Sequence, residues 1–309
     1  DLQTYLLMKA DNDSATNRYR AGDFWRAINA DFADCIYGGA VDTVRNGYIN
    51  RRFSGPEPCS RQVYEALVWM YYNTLVSIDT QGFLKDAVEP PEGGTEDQVS
   101  VDGRQMSLDF LQSVEEVYRL RAAWSMAGGV PRKPLIVELG AGYGRLAYAC
   151  RKMIPDCTYV ILDLPEALLC ANSWLGRVIP GEVVPYAASR LVNNFTIEML
   201  RERKVWILGA HQIEALPSAS VDAFVNVYSL AEMPAGAIDN YFAHIDRLTD
   251  GVFYSKQRTC EDNKKDGITV SCSTYPVRAS WETTMFRKST LYEQFFETAY
   301  SIRHARSSP

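Results

Sequence analysis

The chain has 309 residues, a formal net charge of −6 and a hydrophobic share of 47%, enough for a sizeable core. The acidic balance and the absence of a Lys/Arg stripe argue against a nucleic-acid partner. No apolar run approaches the roughly 18 residues of a membrane span. No basic segment followed by an apolar one marks a signal peptide at the start.

Residues 1 to 128 read as mostly helical. An amphipathic pattern opens at Phe24-Trp25, continues through Phe32, Ile36 and Tyr37, and breaks at Gly38-Gly39. Val41 to Phe53 reads as a second helix. Arg61 to Ile78 carries the strongest helical stripe of this half. Residues 90 to 104 are rich in Pro and Gly and read as a loop, either a plain linker or the lid edge of a site. Helix returns from Asp109 to Met126 and stops at Gly128-Gly129-Val130-Pro131.

The most informative stretch follows, Pro134-Leu135-Ile136-Val137-Glu138-Leu139-Gly140-Ala141-Gly142-Tyr143-Gly144-Arg145. A short apolar strand turns through alternate glycines into a helix. Such a turn brings bare backbone and a helix N-terminus up to a ligand. The phosphate loop is excluded, because no Lys-Ser/Thr follows the last glycine, and the dinucleotide spacing G-x-G-x-x-G is not met. A second carboxylate, Asp163, ends the apolar run Tyr159-Val160-Ile161-Leu162, close to the position about 20 residues on where an acid grips ribose hydroxyls. The pattern E-x-G-x-G-x-G with a strand-ending Asp resembles the cofactor site of class I S-adenosylmethionine-dependent methyltransferases.

From residue 135 strands and helices alternate, which predicts an α/β fold: a doubly wound, Rossmann-like, mostly parallel sheet under a helical N-terminal cap. Strands are expected at 135–139, 158–163, 204–209, 222–228 and 251–257, and helices at 144–154, 165–178, 194–203 and 234–249. Glu182 to Tyr186 is a candidate extra strand. Ile268 to Tyr275, Trp281 to Arg287 and Ala299 to Arg306 are candidate late strands, and a terminal hairpin suits the methyltransferase fold. Two regions result, 1–128 as a helical cap and acceptor-binding region and 129–309 as the cofactor-binding domain.

The loop after the third strand reads Ala210-His211-Gln212-Ile213-Glu214-Ala215-Leu216-Pro217. In class I methyltransferases a polar residue at this place often meets the adenine amino group, and Gln212 occupies it. The fourth strand runs through Asn226 and Tyr228 to Glu232. Ligands in open α/β sheets sit beyond the carboxyl ends of the strands at the switch in strand order, so this segment faces the reacting groups. Transfer to a hydroxyl requires removal of its proton. Glu232 is the first candidate base and His211 the second, while His244 reads as structural.

Four strings sharpen the resemblance: Val137 to Tyr148, His211 to Glu214, Val227 to Pro234 and Phe253 to Arg258. They look like those of bacterial sugar O-methyltransferases, and the N-terminal half fits more loosely. The resemblance implies S-adenosylmethionine as cofactor, with Glu138, Gly140, Ala141, Gly142, Gly144, Asp163, Leu164, Gln212 and Asn226 around it. It implies methylation of a sugar hydroxyl on a glycan or glycosylated metabolite. A phenolic or amine small-molecule acceptor is the rival, and a non-catalytic binding protein the third reading. Seven cysteines without C-x-x-C suggest reduced thiols in the cytoplasm, and the three histidines have no metal-ligand spacing, so no metal is expected. A homo-oligomer is compatible with the sequence.

Overall fold

The computed structural model describes residues 1–53, 60–90, 98–202, 204–290 and 293–304, with the side chains of 48–53 left aside. The N-terminal region is helical: α1 (Leu2–Ser14), α2 (Asp23–Tyr37), α3 (Val41–Phe53) and α4 (Arg61–Ile78). Ser60 caps α4 by accepting from the Val63 N–H. The N-terminus of α2 is capped from far along the chain: Asp266 accepts from the N–H groups of Asp23 (2.7 Å) and Phe24 (3.1 Å). Part of the expected 90–104 loop is a hairpin, β1 (Val99–Val101) against β2 (Arg104–Met106), because valines alternate with polar residues about the Asp102-Gly103 turn. Residues 91–97 of that loop lie outside the described residues.

Helix α5 (Leu108–Met126) starts at Ser107, whose hydroxyl accepts from the Phe110 N–H and donates to Glu89. The α/β part then alternates as expected: β3 (Leu135–Leu139), α6 (Arg145–Met153), β4 (Thr158–Asp163) and α7 (Pro165–Val178). The candidate strand at 182–186 is a two-residue edge strand, β5 (Val183–Val184). The helix expected over 194–203 shrinks to one turn, α9 (Ile197–Leu200), after another, α8 (Tyr186–Ser189). Thr196 caps α9 and so starts it late. Then come β6 (Val205–Gly209), β7 (Val221–Val227), α10 (Ala235–Leu248) and β8 (Thr249–Arg258).

The late strands divide. Cys260–Asn263 (β9) and Ile268–Ser271 (β10) pair only with each other, whereas β11 (Glu282–Lys288) and β12 (Phe295–Ile302) join the main sheet. The last strand thus begins at Phe295 rather than Ala299, and its pairing ends at Ile302, opposite Gly251. The sheet runs β11-β12-β8-β7-β3-β4-β6-β5. Strands β3 to β8 are parallel, and β12 lies antiparallel to both β8 and β11. The order reverses between β3 and β7, which opens a crevice at their carboxyl ends.

Strand side chains alternate between two cores. Ile136, Ile161, Ile207 and Val225 join α1 to α7 on one face, while Val137, Val160, Leu208 and Phe224 join α10 on the other. The first core runs from Tyr5 to Ala299, so it does not divide at residue 128. Among the described residues no helix is long and apolar enough to cross a membrane.

Candidate active site

At the end of β3 the backbone turns left-handed at Gly140 (φ 74°) and Gly142 (φ 59°). A Cβ on Gly140 would lie 2.1 Å from Ser229 Oγ, so the turn packs against the segment after β7. A Cβ on Gly142 would meet nothing within 4 Å among the described residues, so they leave its backbone face open. The Gly142 N–H donates to Asp163 Oδ2 (2.8 Å), and the Leu164 N–H donates to Oδ1 (2.7 Å). The carboxylate is therefore oriented by two backbone donors and keeps lone pairs for further donors. Burial outweighs those two bonds and pushes its pKa up to about 7.

Asp163 opens on a cavity of about 620 Å³ at the carboxyl ends of the central strands. Gly140, Gly142 and Leu164 line one end. Tyr228, Gln257, Arg258 and Phe295 line the other, and the N-terminal region contributes Tyr19, Phe24, Trp25 and Tyr64. Glu232 sits in the wall, in the single turn Leu230–Glu232 that follows β7. The Trp25 indole N–H donates to its Oε2 (3.1 Å), which ties α2 to the site. Burial raises the Glu232 carboxyl to about 8, opposed by the Trp25 hydrogen bond. Among the described residues no cluster of His, Cys, Asp and Glu suits a metal ion.

Of the residues singled out in the sequence, Glu138, Gly140, Ala141, Gly142, Asp163, Leu164 and Glu232 line this cavity. Glu138 is buried there and accepts from the Tyr159 hydroxyl (2.7 Å). Four other residues singled out in the sequence do not line it. Gln212 spends its amide on the protein: Oε1 accepts from the Gly209 N–H (3.0 Å) and Nε2 donates to the Ser189 carbonyl (3.1 Å). It clamps its own loop. His211 folds against Gly209, its Nδ1 buried without a described partner and its pKa lowered by burial. Asn226 is fully buried beneath the β3–β7 crevice and bonded at both ends of its amide. Gly144 makes room for Leu175, whose Cδ1 would be 2.6 Å from a Cβ there.

Sequence reasoning missed Trp25 as a partner of Glu232, and it missed Gln257 and Phe295 as walls; Tyr228 lies in the segment expected to face the reacting groups. Tyr228 has φ 65°, an unusual value for a bulky side chain, and its ring centroid lies 4.4 Å from that of Phe295. Below it, Lys256 is fully buried among Glu115, Glu116 and Glu297 at 3.6–3.9 Å. Burial alone would discharge this ammonium, but the three carboxylates and Tyr228 hold it charged.

No protein-family model matches the chain. The chain is 39% identical over 66 residues to acetylserotonin O-methyltransferase of Bos taurus, covering 21% of this chain and 19% of that one. It is 29% identical over 126 residues to the Gallus gallus enzyme of the same name, covering 37% and 35%. The chain thus spans only about a fifth to a third of these relatives. Among solved structures, an S-adenosylmethionine-dependent methyltransferase from Aquifex aeolicus superposes with TM-score 0.40 at 12% identity, covering 60% of this chain and 88% of that one. Geranyl diphosphate C-methyltransferase from Streptomyces coelicolor, in complex with S-adenosylhomocysteine, gives 0.40 at 10% identity, covering 62% and 82%. The parallel sheet reversed between β3 and β7, closed by the antiparallel pair β11–β12 and covered by N-terminal helices, is the Rossmann-like methyltransferase fold.

Proposed function

We propose that the protein is an S-adenosylmethionine-dependent O-methyltransferase acting on a hydroxyl of a small molecule. One observation carries the reading: a backbone-oriented carboxylate, Asp163, and a second, burial-raised carboxylate, Glu232, share one cavity with the open face of Gly142. The residues fit the cofactor. Asp163 has acceptor capacity for a ribose diol, and the uncovered Gly142 backbone admits close approach. The cofactor supplies an electrophilic methyl group on a sulfonium.

The chain's own part is to align and to accept a proton. Glu232 is the base: it takes the hydroxyl proton of the acceptor as the new carbon–oxygen bond forms, while Trp25 fixes one of its oxygens. A nearby cation favours its ionised form against the burial that raises its pKa. The N-terminal region, residues 1–128, is the acceptor-binding part in this reading, since Phe24, Trp25 and Tyr64 offer flat apolar faces. These suit a sugar ring, as the sequence resemblance implies. They equally suit an aromatic hydroxyl, which the names of the matched acetylserotonin O-methyltransferases favour. A cytoplasmic setting belongs to the same proposal, and the free thiols of Cys150, Cys157 and Cys170 support it.

Calorimetric titration with S-adenosylmethionine and S-adenosylhomocysteine is the first test, followed by labelled methyl transfer to paired phenol and glycoside panels. Saturable binding and transfer to one panel are expected. No binding of either compound refutes the proposal.

A further inference from the structure

A buried relay of amides runs under the crevice to the cavity and leaves one polar atom over. Asn226 Nδ2 donates to the Leu139 carbonyl (2.8 Å) and to Ser229 Oγ (2.7 Å). A carbonyl only accepts, so the NH2 end of Asn226 must face it and Oδ1 must face the other way. There Oδ1 accepts from Gln257 Nε2 (2.6 Å), which also donates to Ser255 Oγ (3.1 Å). The orientation of the Gln257 amide is thereby dictated through Asn226 by a backbone carbonyl of β3. Its remaining atom, Oε1, is buried and has no hydrogen-bond partner among the described residues, while Gln257 itself is fully buried and lines the cavity. An unpaired buried amide oxygen carries a desolvation cost that a donor would remove.

The position indicates which ligand supplies the donor. Gln257 is on β8, two strands from the Gly-rich strand β3, so their backbones are roughly 10 Å apart at a spacing of about 4.8 Å per strand, and Asp163 on β4 lies on the far side of β3. Its neighbours in the wall are Arg258, Phe295 and Tyr228, on the side away from Asp163. We infer that Gln257 Oε1 is an acceptor-binding atom that selects molecules carrying a second hydrogen-bond donor besides the hydroxyl that is methylated. The preferred acceptor is a diol or catechol-like compound rather than a lone alcohol or phenol. Asn226 and Ser229 are positioning residues that keep the amide from rotating and offering its NH2 end instead.

The inference rests on the proposed function, and the experiment separates the two. S-adenosylhomocysteine is first titrated onto the full chain, and no binding at that step defeats the proposed function itself. Onto the loaded protein, catechol is compared with phenol and cyclohexane-1,2-diol with cyclohexanol, by calorimetry and by methyl transfer with S-adenosylmethionine. The two-donor member of at least one pair is expected to bind about tenfold or more tighter. Gln257→Leu is expected to erase that preference through KM, with S-adenosylhomocysteine affinity within about twofold of wild type. Gln257→Met, which also lacks the oxygen but keeps the length, gives the same readout should the leucine variant not fold. Failure of both pairs to bind the loaded protein, equal affinity within both pairs, or a preference that survives both substitutions overturns the inference. A loss of S-adenosylhomocysteine affinity in step with the preference also overturns it, since Oε1 would then face the cofactor.

Discussion

Glu232→Gln separates charge from shape at the centre of the cavity. The wild-type carboxyl sits at about 8 in the folded protein against an ordinary value near 4.5, because burial penalises its ionised form. Between these values the folded state holds a proton that the unfolded state has released. The stabilisation is therefore complete below about 4.5 and is lost as pH rises through about 8. From pH 6 to pH 9 this one group removes about 2–3 kcal/mol of stability. Glu232→Gln cannot ionise, so it escapes that loss and is more stable than wild type at pH 9 relative to pH 6 by that amount. Asp163, raised to about 7, contributes in the same direction in both proteins and cancels from the comparison. Urea unfolding at the two pH values measures the difference. Turnover is expected to fall about 10²–10⁴-fold, with cofactor affinity little changed. Coincident pH dependences of stability would show that the cavity does not hold a raised carboxyl at Glu232. Turnover preserved within a few-fold would remove Glu232 as base, and affinity falling in step with rate would make it a binding residue.

Trp25→Phe removes the N–H that stabilises ionised Glu232, so the rising, acid-side limb of kcat/KM against pH should move to higher pH, with turnover at pH 7 reduced about tenfold. Gly142→Val meets no described atom within 4 Å but is strained at φ 59°, so it should lower Tm modestly and lose S-adenosylhomocysteine binding by calorimetry; Gly140→Ala, strained and also driven into Ser229, should lower Tm further. Asp163→Ala should weaken cofactor binding about 10- to 100-fold with secondary structure unchanged by circular dichroism. Lys256→Met strands Glu115, Glu116 and Glu297 without their shared cation and should cost about 3–5 kcal/mol in urea unfolding. His211→Asn, outside the cavity, should leave turnover within about twofold.

The sheet is legible in the sequence because its signals are local. Leu135–Leu139 and Thr158–Asp163 are apolar runs ended by a glycine turn and by an acid, and both strands fall where the runs do. The placement of Gly140, Gly142 and Asp163 at the cavity was legible for a related reason, since it depends on backbone conformation and on the end of a strand. Glu232 was legible because its distance along the chain from β7 is short. What the sequence left open was polar chemistry decided by long-range contacts. Gln212 and Asn226 carry the right functional groups at the right places in the chain. Their hydrogen-bonding capacity is consumed by Gly209, Ser189, Leu139 and Gln257, and three of these four come from other elements. Trp25 meets Glu232 across 207 positions, and Asp266 caps a helix 243 positions earlier. Strands and turns follow from neighbours a few residues apart. Which polar group remains free for a ligand depends on every partner the fold brings to it, and only the packed chain decides that.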